Sequence, residues 1–149
     1  MEKMKVLIIE DNEFKYEKIE KIIERVADDV ELTWAKSRNS GLINILKHNV
    51  EDNGLAPFDM LICDNYLPIY DEEYVREEPY GEEIVREVRE RFGLKDLPIL
   101  MSSSEKLEQF DYDYSITYDS SVYMDPLFKE VFDEVRENRS KRLVKRKSN

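Results

Sequence analysis

Three short apolar runs punctuate the chain: 6–9 (Val-Leu-Ile-Ile), 58–63, which closes on Met-Leu-Ile-Cys, and 97–101 (Leu-Pro-Ile-Leu-Met). Each is too short for a buried helix and has no polar alternation, the pattern of a strand covered on both faces. Between them the period changes. Ile19, Ile22, Ile23 and Val26 recur at helical spacing over 13–27, with Lys and Glu on the opposite side. Val30, Leu32 and Trp34 alternate with polar residues, as in a half-buried strand over 30–36. Ser40 is placed to cap a helix carrying Leu42, Ile43, Ile45 and Leu46. Gly81 opens another, with Ile84, Val85, Val88 and Phe92 on one face and Gly93 at its end. Residues 105–114 carry a weak helical pattern, and 115–124 read as strand. Pro126 suits the first turn of a final helix whose core face is Leu127, Phe128, Val131, Phe132 and Val135. Residues 49–57 and 69–80 have no period and read as loops, the second acidic and rich in tyrosine.

Strands alternating with helices predict an α/β, doubly wound, flavodoxin-like fold. The expectation is a five-stranded parallel sheet and five helices on its two faces, joined by right-handed crossovers. In such sheets ligands sit at the carboxyl ends of the strands. The first run ends in Glu10 and Asp11, the second in Asp64, and the third in Ser102, Ser103 and Ser104. Three carboxylates brought together repel one another unless a cation joins them. Magnesium takes oxygen ligands and keeps several waters, so Glu10, Asp11 and Asp64 are the kind of set that holds it beside a phosphate. Taken singly, each acid reads more simply as a turn or capping residue.

Acid pair, single acid and hydroxyl, in that order, resemble the receiver domain of bacterial response regulators, and the likeness extends from Val6 to about Val135. Pro68, four residues after Asp64, fits the same pattern. The resemblance implies that Asp64 accepts a phosphoryl group and that Mg2+ is the cofactor. It makes Glu10, Asp11, Asp64 and the backbone carbonyl of Tyr66 the metal ligands, and Ser103 the hydroxyl that meets the phosphoryl group. It further implies a histidine kinase or other phosphodonor as partner, and a signalling role rather than an enzyme's. Two features depart from the family. Residues 69–80 look inserted, delaying to Gly81 a glycine that normally follows the proline closely. Where receivers carry a lysine before the last proline, this chain has Asp125, and the family's switch aromatic falls on Val122 with Tyr123 one place later. Asp125 is therefore expected beside the acids, the resemblance implies that the Asp125–Pro126 bond is cis, and Lys106 is the candidate to supply the missing cation. A phosphorylation-silent interaction module is the alternative this substitution raises. A magnesium-dependent phosphohydrolase is disfavoured, because nothing near Asp64 supplies a further acid to activate water.

Charge and cysteine content narrow the partners. The net charge is -11, yet 139–149 hold six basic residues and no acid, which leaves 1–138 at -17. That body repels nucleic acid and anionic membrane; only the basic C-terminal tail, 139–149, attracts either. The expected organisation is a receiver-like domain over 1–138 followed by that tail, a stand-alone receiver that signals by protein contact or through the tail. The lone Cys63 cannot form an internal disulfide, and no run approaches the ~20 apolar residues of a membrane span, which points to a cytoplasmic protein. Trp34 reads as a core or edge aromatic and His48 as a surface residue, neither as a site.

Overall fold

The structure, a computed structural model, describes residues 3–51, 58–72 and 76–147, with the side chains of 48–51 and 140–147 excepted. The 52–57 loop, the centre of the 69–80 insertion, the His48 side chain and most of the basic tail's side chains lie outside the described residues. In chain order the elements are β1 (Met4–Ile9), α1 (Glu13–Val26), β2 (Val30–Ala35), α2 (Arg38–Glu51), β3 (Met60–Cys63), α3 (Tyr80–Arg86), β4 (Ile99–Ser103), β5 (Tyr114–Thr117) and α4 (Asp125–Lys147). The five strands form one parallel sheet in the order β2-β1-β3-β4-β5. This is the flavodoxin-like arrangement that the alternation predicts.

Period-two alternation divides the core. Val6 and Ile8 face one side of the sheet with Met60, Ile62 and Leu100, and there they meet α1 and α4. Leu7 and Ile9 face the other with Leu61, Cys63, Ile99 and Met101, against α2 and α3. In α4, Phe128, Val131, Phe132 and Val135 are all buried, an i, i+3, i+4, i+7 stripe. Burying each such side chain contributes about 1.5–3 kcal/mol. Beyond that stripe α4 is tied down by Arg139, which pairs with Asp59 at 3.1 Å, and by Arg136, which donates to the Asp28 carbonyl. The helix continues through position 139, where the basic stretch begins, as far as Lys147.

Three local readings change. After Arg86 the helix widens into a π-turn over Glu87–Arg91, closed by Gly93 at φ 66°. That turn carries Arg89 inward, where it donates to the carbonyls of Leu94, Lys95 and Leu97 and pairs with Asp113 at 2.8 Å. The helix expected over 105–114 is absent; the chain there is irregular. Leu107, Phe110 and Tyr112 instead pack on the α2–α3 side of the core, and Asp113 is held by both Arg89 and the Ile99 N–H, a pull incompatible with a helix. Strand β5 stops at Thr117, because Asp119 accepts from the Ser121 N–H and hydroxyl and turns the chain.

Candidate functional site

Glu10, Asp11 and Asp64 meet at the carboxyl edge of the sheet, just beyond paired β1 and β3. Their closest oxygens lie within 4.8 Å of one another. The backbone fixes this convergence: the Glu10 N–H donates to the Ala35 carbonyl and the Asp64 N–H to the Ile9 carbonyl. Glu10 then orders the next turn, its Oε2 accepting from the Asn12 N–H at 3.1 Å. Asn12 in turn caps α1, accepting from the Lys15 N–H at 3.0 Å.

That cap sets the rotation of α1 and delivers a residue the hydrophobic pattern did not single out. Lys15 is buried, and its ammonium lies 2.7 Å from Glu10 Oε1, 3.4 Å from Asp64 Oδ2 and 2.7 Å from the Ser102 carbonyl oxygen, to which it donates. The Tyr118 ring lies 5.1 Å from the same nitrogen. The signal was present in the sequence. Lys15 stands four residues before Ile19 and seven before Ile22, on the apolar face of its helix, where lysine is rare unless paired.

The electrostatics follow from burial and crowding. Burial pushes the Glu10 carboxyl up to about 7; Lys15 pulls the other way and Asp64 adds to the rise. Asp64 is also raised, first by burial, with Lys15, the Asn65 N–H and the Ser103 hydroxyl opposing. Ser103 is buried at the end of β4, close enough to Asp64 to oppose that rise, and its hydroxyl accepts from the Glu105 N–H at 3.2 Å. Cys63 is buried and donates to the Asp64 carbonyl at 3.2 Å, and burial pushes its thiol well up.

The inserted segment is fastened to the acid loop. Leu67 and Glu78 exchange backbone hydrogen bonds, and Gly81 donates to the Asn65 carbonyl. A Cβ at Gly81 would collide with the Asp64 carbonyl oxygen and the Asn65 backbone, so a glycine is required here. The same fastening brings Glu77 to the pocket. Its approach to the Asp11 carboxyl, then burial, raise its carboxyl to about 7, and the Asp64 charge adds to the rise. Neither Glu77 nor Lys15 was among the residues picked from the sequence.

Asp125 departs from expectation. It opens α4 with its carboxylate turned to α1, where Arg25 Nε and Nη2 donate to its two oxygens at 2.7 and 2.9 Å. This bidentate hydrogen bond, foremost, holds its carboxyl below the usual range. Among the described residues no peptide bond is cis, so the bond to Pro126 is trans. Asp125 is therefore not a fourth charge set against the acids. Lys106 is exposed, and among the described residues the ion pairs of Glu10 and Asp64 are with Lys15 alone. Tyr66, partly exposed, lies in the bend after Asp64.

The donor set suits a small divalent cation: three hard carboxylate oxygens close together, with one ammonium among the three carboxyl groups. Among the described residues no helix is long and apolar enough to cross a membrane.

No family model and no curated protein matches the sequence. Solved structures do match. A two-component response regulator from Cytophaga hutchinsonii aligns over 92% of this chain and 99% of its own, at 15% identity and a TM-score of 0.69. The Mn2+-bound response regulator Rcp1 aligns over 86% and 88%, at 17% identity and a TM-score of 0.63. The phosphorylated cyanobacterial phytochrome response regulator RcpA aligns over 87% and 89%, at 18% identity and a TM-score of 0.63. At such identities the likeness establishes the fold, and this chain has the fold of response-regulator receiver domains.

Proposed function

We propose that this receiver-fold chain is a phosphoacceptor of two-component signalling, taking a phosphoryl group on Asp64 with Mg2+ or Mn2+ held by Glu10, Asp11, Asp64 and the Tyr66 carbonyl. The observation that carries the reading is the meeting of Glu10, Asp11 and Asp64 at the carboxyl edge, with Ser103 buried at the end of the neighbouring strand β4. Structural neighbours described as Mn2+-bound and as phosphorylated support it. When bound, the divalent cation neutralises charge on the phosphoryl oxygens.

The chain's own residues supply the rest. An oxygen of the Asp64 carboxylate attacks phosphorus, forming an O–P bond as the bond to the donor nitrogen breaks. The leaving imidazole keeps that electron pair and takes up a proton. The Asn65 N–H, 2.7 Å from Asp64 Oδ1, restrains the carboxylate so that it presents one oxygen. The Ser103 hydroxyl accepts from the Glu105 N–H and keeps its proton to donate to a phosphoryl oxygen. The donor is a histidine kinase or a small phosphodonor.

Intact mass after incubation with Mg2+ and acetyl phosphate or phosphoramidate tests this: the wild type gains one phosphoryl group and Asp64→Asn gains none. The alternative is an interaction module without phosphoryl chemistry, and one observation favours it: Lys15 already occupies the acids from within. That module takes up no phosphate from either donor.

A further inference from the structure

We infer that Lys15, from the first turn of α1, is the cation that pairs with the phosphoryl group on Asp64, and that its resident charge sets how tightly the pocket holds a divalent metal. The inference rests on the phosphoacceptor reading and assigns to it a residue that the fold likeness does not supply.

Placement is the first argument. The Lys15 ammonium is 3.4 Å from Asp64 Oδ2, so a phosphoryl group built on that carboxylate puts its oxygens within reach of the same nitrogen without a change of backbone. Anchoring is the second. The nitrogen donates to the Ser102 carbonyl at 2.7 Å, the residue before Ser103, so the ammonium and the Ser103 hydroxyl are hung from adjacent positions of β4. Its backbone is fixed by the Asn12 cap, and Tyr118 lies beside it. A lysine so held is a point charge in a defined place, with little freedom left to lose on meeting an anion. The third argument is elimination among the described residues. The only ion pairs to Glu10 and Asp64 come from Lys15, Lys106 stands in the open, and Arg25 is engaged by Asp125.

The same placement has a second effect of opposite sign. A positive charge shared between Glu10 and Asp64 repels an entering cation, so Lys15 weakens metal binding while it strengthens phosphoryl binding. It lies against Glu10 and Asp64, which leaves Asp11 as the carboxylate of the cluster that it does not neutralise.

The test compares full-length wild type, Lys15→Met and Lys15→Arg by two readouts, Mn2+ affinity from electron paramagnetic resonance and phosphoryl uptake by intact mass. Thermal melts confirm folding. For Lys15→Met we expect Mn2+ binding tighter and phosphoryl uptake lower, each by on the order of tenfold, the effect of one charge a few ångströms away in a partly screened site. Lys15→Arg, which keeps the charge, should fold in any case and stay near wild type in Mn2+ affinity. General damage would lower both quantities together, so the divergence in sign is the signature. Lys15→Gln, which removes the charge but leaves a hydrogen-bond donor toward Glu10 and the Ser102 carbonyl, keeps the phosphoryl test available if Lys15→Met unfolds. Uptake by Lys15→Met, or by Lys15→Gln, at the wild-type level overturns the inference, as does loss of uptake on Lys106→Ala alone. If wild type and every variant take neither Mn2+ nor phosphate, the phosphoacceptor reading fails and Lys15's role falls with it, a result distinct from a wild type that is phosphorylated independently of Lys15.

Discussion

Two buried cations sit at opposite edges of the sheet and are used differently. Arg89 lies at the edge where β4 and β5 begin, its guanidinium directed at the carbonyls of Leu94, Lys95 and Leu97 and at Asp113. Lys15 lies at the edge where β1, β3 and β4 end, against Glu10, Asp64 and the Ser102 carbonyl. Around Arg89 most acceptors are neutral and fixed in the backbone, so the charge is consumed in holding a loop. Around Lys15 the neighbours are carboxylates that outnumber it, and the remaining negative charge is what a second cation can use. Fixed backbone carbonyls make Arg89 a brace, whereas the buried carboxylates around Lys15 leave a place for a ligand.

Breaking the brace should have the largest effect. Arg89→Met strands backbone carbonyls that have no water to turn to, and should cost about 3–5 kcal/mol in urea unfolding, while Mn2+ affinity at the opposite edge stays unchanged. A variant with altered metal affinity would mean that the two edges are coupled. Next comes the metal itself. At a hundredfold excess over its dissociation constant Mg2+ should stabilise the wild type by about 2.7 kcal/mol, seen as a raised melting temperature, and Asp11→Ala should abolish the rise. An unchanged wild-type melting temperature in saturating Mg2+ or Mn2+ would remove the excess-charge argument.

Smaller effects sharpen the picture. Gly81→Ala drives a methyl group into the Asp64 carbonyl and the Asn65 backbone, and should cost about 1–3 kcal/mol. Because that backbone carries the acids, phosphoryl uptake should fall with it; loss of stability with full uptake would separate the insertion from the site. Smallest is Asp125→Asn. The carboxyl of Asp125 is held low by Arg25, so its contribution is present above the ordinary carboxylate value of 3.8 and is lost as pH falls through the lower folded value. The variant should therefore melt slightly below wild type at neutral pH and together with it in strong acid. A gap that persists in acid would assign the effect to packing.

Much of this was legible beforehand because burial on both faces writes itself into a strand as an unbroken apolar run. β1, β3 and β4 were found that way, and with them the acids and hydroxyl at their ends. The 105–114 segment misled because Leu107 and Phe110 are spaced as on a helix, whereas Arg89's hold on Asp113 requires an extended chain. Lys15 escaped because a lysine reads as surface unless its register is weighed against Ile19 and Ile22. The pair of Arg25 and Asp125 spans 100 positions, and no local pattern reports a contact at that range. The insertion's acidity was visible, but which of its acids reaches Asp11 depends on the backbone pairing of Leu67 with Glu78.

Trp34 is the only tryptophan in the chain. Its indole N–H donates to the Glu10 carbonyl at 2.7 Å, and its ring lies flat on Tyr16 with centroids 4.1 Å apart. The Lys36 ammonium stands 4.6 Å over the same ring. Intrinsic emission excited at the red edge thus comes from a single fluorophore bonded to the backbone of a pocket acid. Any cation or phosphoryl group that shifts Glu10 alters that hydrogen bond and so the wavelength and yield of the emission. The molecule carries its own optical gauge of the acid edge, readable in a cuvette without label or substitution.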